Sequence, residues 1–459
     1  MEQPLVKKLV IPFVTTKIST DITLFFILLP IWMILGVTQF FGPILMVLLF
    51  LKLLVIHSKD NREIVLPFFL TTIIVIFLLS SLISGLHIKE KYWNLVFLRN
   101  LSVYLAALLL FLVTINSIKT KHDILKILWG LSIMAFIASV FGLFVILDVI
   151  PVKINIVTPI SYILPENIKN SDFLNSILNP SFGNYIKFFN LKVKRISSIF
   201  PYPNMYAAVL IILLPFQIFL FKVSRKIKKK FIFLNSLLIL INLFFTYSRS
   251  AFLALLFGFF GFAYLNRKRY HHSYKKVIYV ALSIFIVLLS IIIISHYSEI
   301  ILELKSGSTR TRMLIYSKTL ESWKESPIFG FGTQRNMEVV GESSRVPPLG
   351  SHSTYLNLLY KYGLIGLILY LLIYVVVFKE IKRIVTPNND DLFLRKFGMY
   401  AGWAFMGNAI QAIFIVMDFD VVVIFLIWIN WAMIVATRMM LERKELYTDP
   451  LHRVDTFQR

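Results

Sequence analysis

The chain is a succession of apolar blocks, each close to the length of a bilayer crossing. A helix needs about 20 apolar residues to cross the hydrocarbon core, with a range of roughly 17 to 25. Twelve blocks of that kind follow one another, at about 22–38, 42–57, 65–84, 95–115, 124–148, 204–221, 231–247, 250–265, 277–295, 356–378, 395–416 and 421–437. Lipid gives the backbone no hydrogen-bonding partner, so lipid-embedded blocks of this length must be helices. The expected fold class is all-α: a polytopic membrane protein of about twelve transmembrane helices. Composition agrees, with 58% hydrophobic and 16% charged residues and a mean hydropathy of +0.76, outside the range of soluble domains. The first block begins near Ile22 and runs into the second without a small-residue cleavage site, so no cleaved signal peptide is expected.

Two long polar insertions, about 149–203 and 296–355, interrupt the pattern and divide the chain into regions 1–148, 149–203, 204–295, 296–355 and 356–459. The basic runs KVSRKIKKK (222–230), NRKRYHHSYKK (266–276) and KEIKR (379–383) read as cytoplasmic anchors near anionic lipid. Both termini then fall in the cytoplasm, in a bacterial plasma membrane, and both insertions fall outside. This distribution accounts for the net charge of +24 without nucleic acid as a partner. Cysteine is absent, which excludes disulfides, thiolate catalysis and Cys-ligated zinc.

One position breaks the apolar pattern in an informative way. Phe231 to Leu265 is a run of 35 residues in which Arg249 is the only charge. Basic clusters precede and follow it, so both ends lie on one side and the middle must reach the other. Two crossings of about 17 residues consume nearly the whole run, which leaves a minimal turn around Tyr247 to Ser250. Arg249 is thereby held at headgroup depth on the external face. A snorkelling arginine on lipid phosphate satisfies the same placement. The sharper reading is a phosphate or diphosphate ligand, because a guanidinium matches two phosphate oxygens at once and Ser248 and Ser250 flank it.

Both insertions face the same side. In the first, RISSIFPYPNMYAA (195–208) puts Arg195 a few residues above that surface, with Asn204 a plausible helix cap. In the second, GSTRTRMLIYSKTLESWKESPIFGFG (307–332) predicts an amphipathic helix with an apolar stripe of Met313, Tyr316, Leu320 and Trp323, ended by Pro327 and the GFG glycines. Arg310 and Arg312 stand at its start, where free N–H groups and the dipole attract an anion. His352, in GSHSTYLNLLYKYG, lies immediately upstream of a span and has the ordinary pKa of a general base, about 6.5. Tyr355, Tyr360 and Tyr362 are compatible with sugar stacking as well as with an interfacial aromatic belt. No GxxxxGK[ST], strand-linked GxGxxG, HExxH or GxSxG motif occurs. Asp418 and Asp420, in MDFD, do not complete a metal site on their own. A transporter would place ionisable residues near the midplane, whereas the span lysines Lys52 and Lys361 are expected near span ends.

The stretches RISSIFPYPN, TYSRSAFLALL, TRMLIYSKTLESWKESPIFGFG and SHSTYLNLLYKYGLIG, in this order, resemble the O-antigen ligase and O-antigen polymerase (Wzy-type) superfamily over about residues 195–375. The resemblance implies a GT-C-like membrane glycosyltransferase that needs no metal or other cofactor and takes an undecaprenyl-diphosphate-linked oligosaccharide as donor. It implies Arg249 and Arg312 as diphosphate ligands and His352 as the base on the acceptor hydroxyl, with Arg195 and Arg310 as secondary ligands. Polymerisation of repeat units into a surface polysaccharide is the leading expectation. Ligation to a terminal acceptor is the alternative, and a flippase and a chain-length regulator are the partners either pathway implies.

Overall fold

The computed structural model describes residues 17–61, 63–86, 88, 91–153, 157–162, 178–188, 191–266, 308–334, 349–386, 389–417 and 420–448. Of these residues 77% are helical. Among these residues the apolar blocks form α1 (Ile18–Ile34), α2 (Thr38–Lys59), α3 (Phe68–Gly85), α4 (Lys91–Ser117), α5 (Lys121–Ile146), α6 (Pro203–Val223), α7 (Lys226–Phe245) and α8 (Arg249–Asn266). After the amphipathic α9 (Ser308–Trp323) come α10 (Thr354–Ile384), α11 (Leu392–Gln411) and α12 (Val421–Thr448). Eight of them, α2 to α6, α8, α10 and α12, are long and apolar enough to cross a membrane. The block expected at 277–295 lies outside the described residues. The span expected to end at 416 stops as a helix at Gln411, where Ala412 to Phe414 form a turn.

Consecutive helices run in opposite directions within α1 to α8 and within α10 to α12, and β2 of the first insertion and α9 of the second lie at the same end of the bundle. At its centre is α12, whose span window is 94% buried; it packs against α4, α10 and α11. α8 lies along α11, an approach that depends on Gly258, where a Cβ would meet Trp403 Cδ1 at 2.5 Å. Several polar side chains within the bundle pair across helices. Asn235 Nδ2 donates to the Ser132 carbonyl at 2.9 Å, and Ser132 Oγ to Gln217 at 2.9 Å, which joins α5, α6 and α7. Lys52, expected near a span end, is buried and pairs with Asp21 of α1 at 2.6 Å.

Two features depart from the all-α expectation. The first insertion contains an antiparallel hairpin, β1 (Gly183–Phe188) and β2 (Leu191–Ile196), with Asn184 opposite Arg195. The alternation Leu191-Lys192-Val193-Lys194 is the period-two signal of a strand. Lys194 clips β2 to the end of α5, donating to the Val145 and Ile146 carbonyls at 3.2 Å and pairing with Asp148. A cation there also complements the helix C-terminus.

The second departure lies inside α10. Gly363 has φ +64° and ψ −167°, a backbone region essentially confined to glycine, and it breaks the helix one-third of the way along. The break frees backbone groups that the loop after α9 takes up. Phe331 N–H donates to the Tyr360 carbonyl at 3.0 Å and Gly332 N–H to the Lys361 carbonyl at 2.7 Å, while Leu364 N–H donates to the Pro327 carbonyl at 2.9 Å. Ser84 of α3 also bonds the Phe329 carbonyl. The PIFGFG segment is therefore stitched into the broken helix, and Lys361, expected near a span end, is buried at that seam.

Candidate functional site

Arg195, Arg249, Arg312 and His352 come from four separate parts of the chain, and the fold brings them together at the insertion end of the bundle. Successive strand residues face opposite sides, so Lys194 grips α5 while Arg195 turns towards the α7–α8 turn. Its Nε donates to the Thr246 carbonyl at 2.7 Å, and its Nη2 donates to Asn204 Oδ1. Asn204 therefore serves Arg195 rather than capping α6, whose N-cap is Tyr202 with Pro203 behind it. Both acceptors are neutral and leave the guanidinium charge uncancelled. Burial, and then the charges of Arg312 and Arg249, lower its pKa to about 10. It stays protonated at neutral pH, and the shift records how closely the three cations sit.

The turn before α8 is as tight as the 35-residue run demands. Tyr247 adopts φ +46°, Ser248 precedes the helix, and Arg249 is its first residue. The Ser248 and Ser250 hydroxyls are 3.2 Å apart. Arg249 thus places a guanidinium at a helix start, the end whose dipole favours an anion.

Arg312 lies in the second turn of α9, one turn before Tyr316. Tyr316 Oη donates to the His352 carbonyl at 2.9 Å, and Thr319 Oγ1 accepts from Gly350 N–H at 2.9 Å. These two bonds fix α9 to the turn that carries His352. That turn is strained: His352 has φ +66°, an uncommon conformation for a residue with a side chain. It ends at Ser353, whose hydroxyl caps α10, and at Thr354, whose Oγ1 donates to the Ile415 carbonyl and accepts from Met417 N–H. Burial and the neighbouring Arg312 lower the His352 pKa to about 4, so the imidazole is neutral at physiological pH.

The helix following Arg312 presents a different stripe from the one expected. Ile315 and Thr319 are fully buried, whereas Met313 is 62% exposed and Leu320 41% exposed. Periodicity locates the apolar positions but not which face meets protein, and here the Arg312–Tyr316 side does. Arg310 is exposed at the helix start, away from the contacts that join Arg312 to the cluster. The Tyr355 hydroxyl donates to the Ala409 carbonyl at 2.8 Å, a tie between α10 and α11. Of the two MDFD carboxylates, Asp418 lies outside the described residues and Asp420 caps α12 through its Oδ1.

Tyr316 and Asn204 are the positioning groups that the sequence pattern did not single out for these roles. Tyr316 stands four residues after Arg312, the spacing that puts two side chains on one helix face, and that spacing is the only local signal for it.

These features define a polytopic helical membrane protein with three arginines and a neutral histidine clustered at one end of its bundle. Residues 234–371 match the family model Wzy_C, O-antigen ligase, and this match supports membership of the O-antigen ligase and polymerase superfamily. The matched stretch contains Arg249, Arg312 and His352, while Arg195 precedes it. No curated protein matches the chain. The match supports an enzyme of the ligase or polymerase type in a membrane.

Proposed function

We propose that the protein is a polymerase that joins undecaprenyl-diphosphate-linked oligosaccharide repeat units into a surface polysaccharide by metal-independent, inverting glycosyl transfer. The convergence of Arg195, Arg249 and Arg312 beside His352 carries this reading. Three cations crowded together are stabilised by a ligand that brings several negative charges, and a diphosphate does so with oxygens suited to bidentate guanidinium contacts.

In the proposed step the acceptor hydroxyl oxygen attacks the anomeric carbon of the donor sugar. The bond from that carbon to the diphosphate oxygen breaks, and its electron pair leaves with undecaprenyl diphosphate. His352 takes the acceptor proton. The arginines stabilise the charge that develops on the leaving oxygens, the electrostatic role a metal fills elsewhere. Single displacement from the opposite face inverts the anomeric centre. The basic ends of α7 and α10 lie opposite the site, which favours a plasma-membrane protein with the site facing outward. A flippase that delivers the donor and a regulator of chain length fit as partners.

Polymerisation is tested with the purified protein in liposomes, supplied with lipid-linked repeat unit. A ladder of products that differ by one repeat supports the reading. A single addition to a separately supplied acceptor, with no ladder, replaces it with the ligase alternative.

A further inference from the structure

The β1–β2 hairpin reaches the arginine cluster through one cross-strand pair, in which Asn184 stands directly opposite Arg195. Opposed residues of an antiparallel pair share a face, with Cβ atoms about 4.5–5.5 Å apart. Asn184 therefore lies on the side of the hairpin that Arg195 turns towards the α7–α8 turn. Thr246 and Asn204 take Nε and Nη2 of Arg195, which leaves Nη1 without an acceptor among the described residues. Asn184 is exposed, and its amide side chain makes no hydrogen bond among the described residues. The next rung on this face is Ile186 opposite Val193, both half-buried.

The base of the hairpin is braced. Phe182 N–H donates to the Val152 carbonyl at 3.0 Å and Ser197 N–H to the Phe182 carbonyl at 2.9 Å, while Ser197 Oγ donates to the Ser181 carbonyl at 2.9 Å. Lys194 clips the opposite face to α5. Gly183 lets the strands close up beside Asn184, since a Cβ there would lie 2.3 Å from the Arg195 carbonyl oxygen. A side chain carried on a fixed strand places its polar atoms more precisely than one on a loop.

The residue type narrows the chemistry. A carboxylate at this position would pair with Arg195 and cancel the charge offered to a ligand. A further cation would add to the crowding of Arg195, whose pKa burial and then Arg312 and Arg249 already lower. An amide does neither, and it supplies both a donor and an acceptor, the combination that a sugar hydroxyl meets. The Ile186–Val193 rung adds apolar surface of the kind that packs on the C–H face of a ring. Because the cross-strand spacing is about the width of one pyranose, a ring joined to a phosphate on Arg195 comes within reach of Asn184.

We infer that Asn184 is a sugar-binding residue of the site, its amide hydrogen-bonding a ring hydroxyl of the sugar joined to the diphosphate. The inference rests on the reading of the arginine cluster as the diphosphate site of a lipid-linked donor, and extends it to the donor sugar.

The test uses the full chain in lipid nanodiscs and two probes. One is geranylgeranyl diphosphate; the other is the same lipid carrying one sugar, the residue found next to the diphosphate in the lipid-linked pool of cells that make the protein. Affinities are measured for wild type, Asn184→Ala and Arg249→Ala. Wild type should bind the sugar-bearing lipid more tightly than the bare one. Asn184→Ala should weaken the sugar-bearing lipid about five- to tenfold, the worth of one hydrogen bond, with bare-lipid binding and melting temperature unchanged. Arg249→Ala should weaken both lipids. Equal affinity of wild type and Asn184→Ala for the sugar-bearing lipid overturns the inference. An equal loss for both lipids overturns it too, because Asn184 would then act on the diphosphate or on the fold. A sugar preference that depends on Asn184, with both affinities intact in Arg249→Ala, overturns the diphosphate reading and leaves the sugar contact standing. Binding of neither lipid to wild type overturns both.

Discussion

Burial and Arg312 hold the His352 imidazole at about 4, low for a residue proposed to accept a proton at neutral pH. The same arrangement supplies the remedy. A diphosphate bound beside Arg312 cancels the repulsion that disfavours the imidazolium, so binding the donor strengthens the base just when it is needed. The sign follows directly: a lowered pKa keeps the ring neutral above about pH 4, and the base form is lost as pH falls through that value. The acid limb of kcat/KM, which reports the free enzyme, is therefore expected near pH 4, with the limb of kcat at higher pH. An acid limb of kcat/KM near the ordinary histidine value would remove the desolvated base from the account. The arginines make a separate prediction. Arg249→Ala and Arg312→Ala should each lower turnover by about 10²–10³-fold, the usual loss when one donor to a developing anion is removed. Lys should restore little at either position because it lacks the bidentate fork. Near-normal polymer from either alanine variant, at normal protein levels, would contradict the diphosphate role.

Arg249 was legible in the sequence because length left it nowhere else to go: 35 apolar residues between two basic clusters admit one hairpin with one tip. The break in α10 was not. A hydropathy pattern runs smoothly through Tyr362-Gly363-Leu364, and nothing local says that the N–H groups of Phe331 and Gly332 will reach the carbonyls exposed there. The exchange of backbone bonds is long-range, and the GFG glycines alone signal only a turn. Yet this seam sets the site. It anchors the C-terminal end of α9 to α10, while Tyr316 and Thr319 tie α9 to the His352 turn at α10's N-terminus. Arg312 is positioned by a helix held at both ends. Gly363→Ala tests the seam, since a Cβ there would lie 2.1 Å from the Ile328 carbonyl oxygen, and a side chain in that glycine-only backbone region costs about 1–3 kcal/mol in addition. Hydrogen exchange at Phe331, Gly332 and Leu364 should accelerate in the variant, together with a loss of transfer activity. Unchanged exchange and full activity would show that the loop is seated by something else.

At the scale of the whole molecule the proposals depend on one orientation: insertions, hairpin and arginine cluster outside, basic helix ends inside. The up-and-down order of α1 to α8 and α10 to α12 puts the cluster and the basic ends at opposite ends of the bundle, but which end faces the cytoplasm rests on charge alone. The charge argument is strong for the short connections and weak for the insertions, which carry thirteen of the 48 Lys and Arg on the side the rule would leave poor in them; long loops translocate largely regardless of charge. The chain's lack of cysteine makes the orientation directly measurable, because any single cysteine introduced is the only thiol. Asn184 on β1 and Arg383 near the end of α10 are both exposed and lie at opposite ends. In intact cells a membrane-impermeant maleimide should label Asn184→Cys readily and Arg383→Cys only after permeabilisation, provided any outer envelope layer admits the reagent. The reverse pattern would put the arginines in the cytoplasm, where nucleotide sugars are at hand, and a lipid-linked donor would no longer be required by the location of the site.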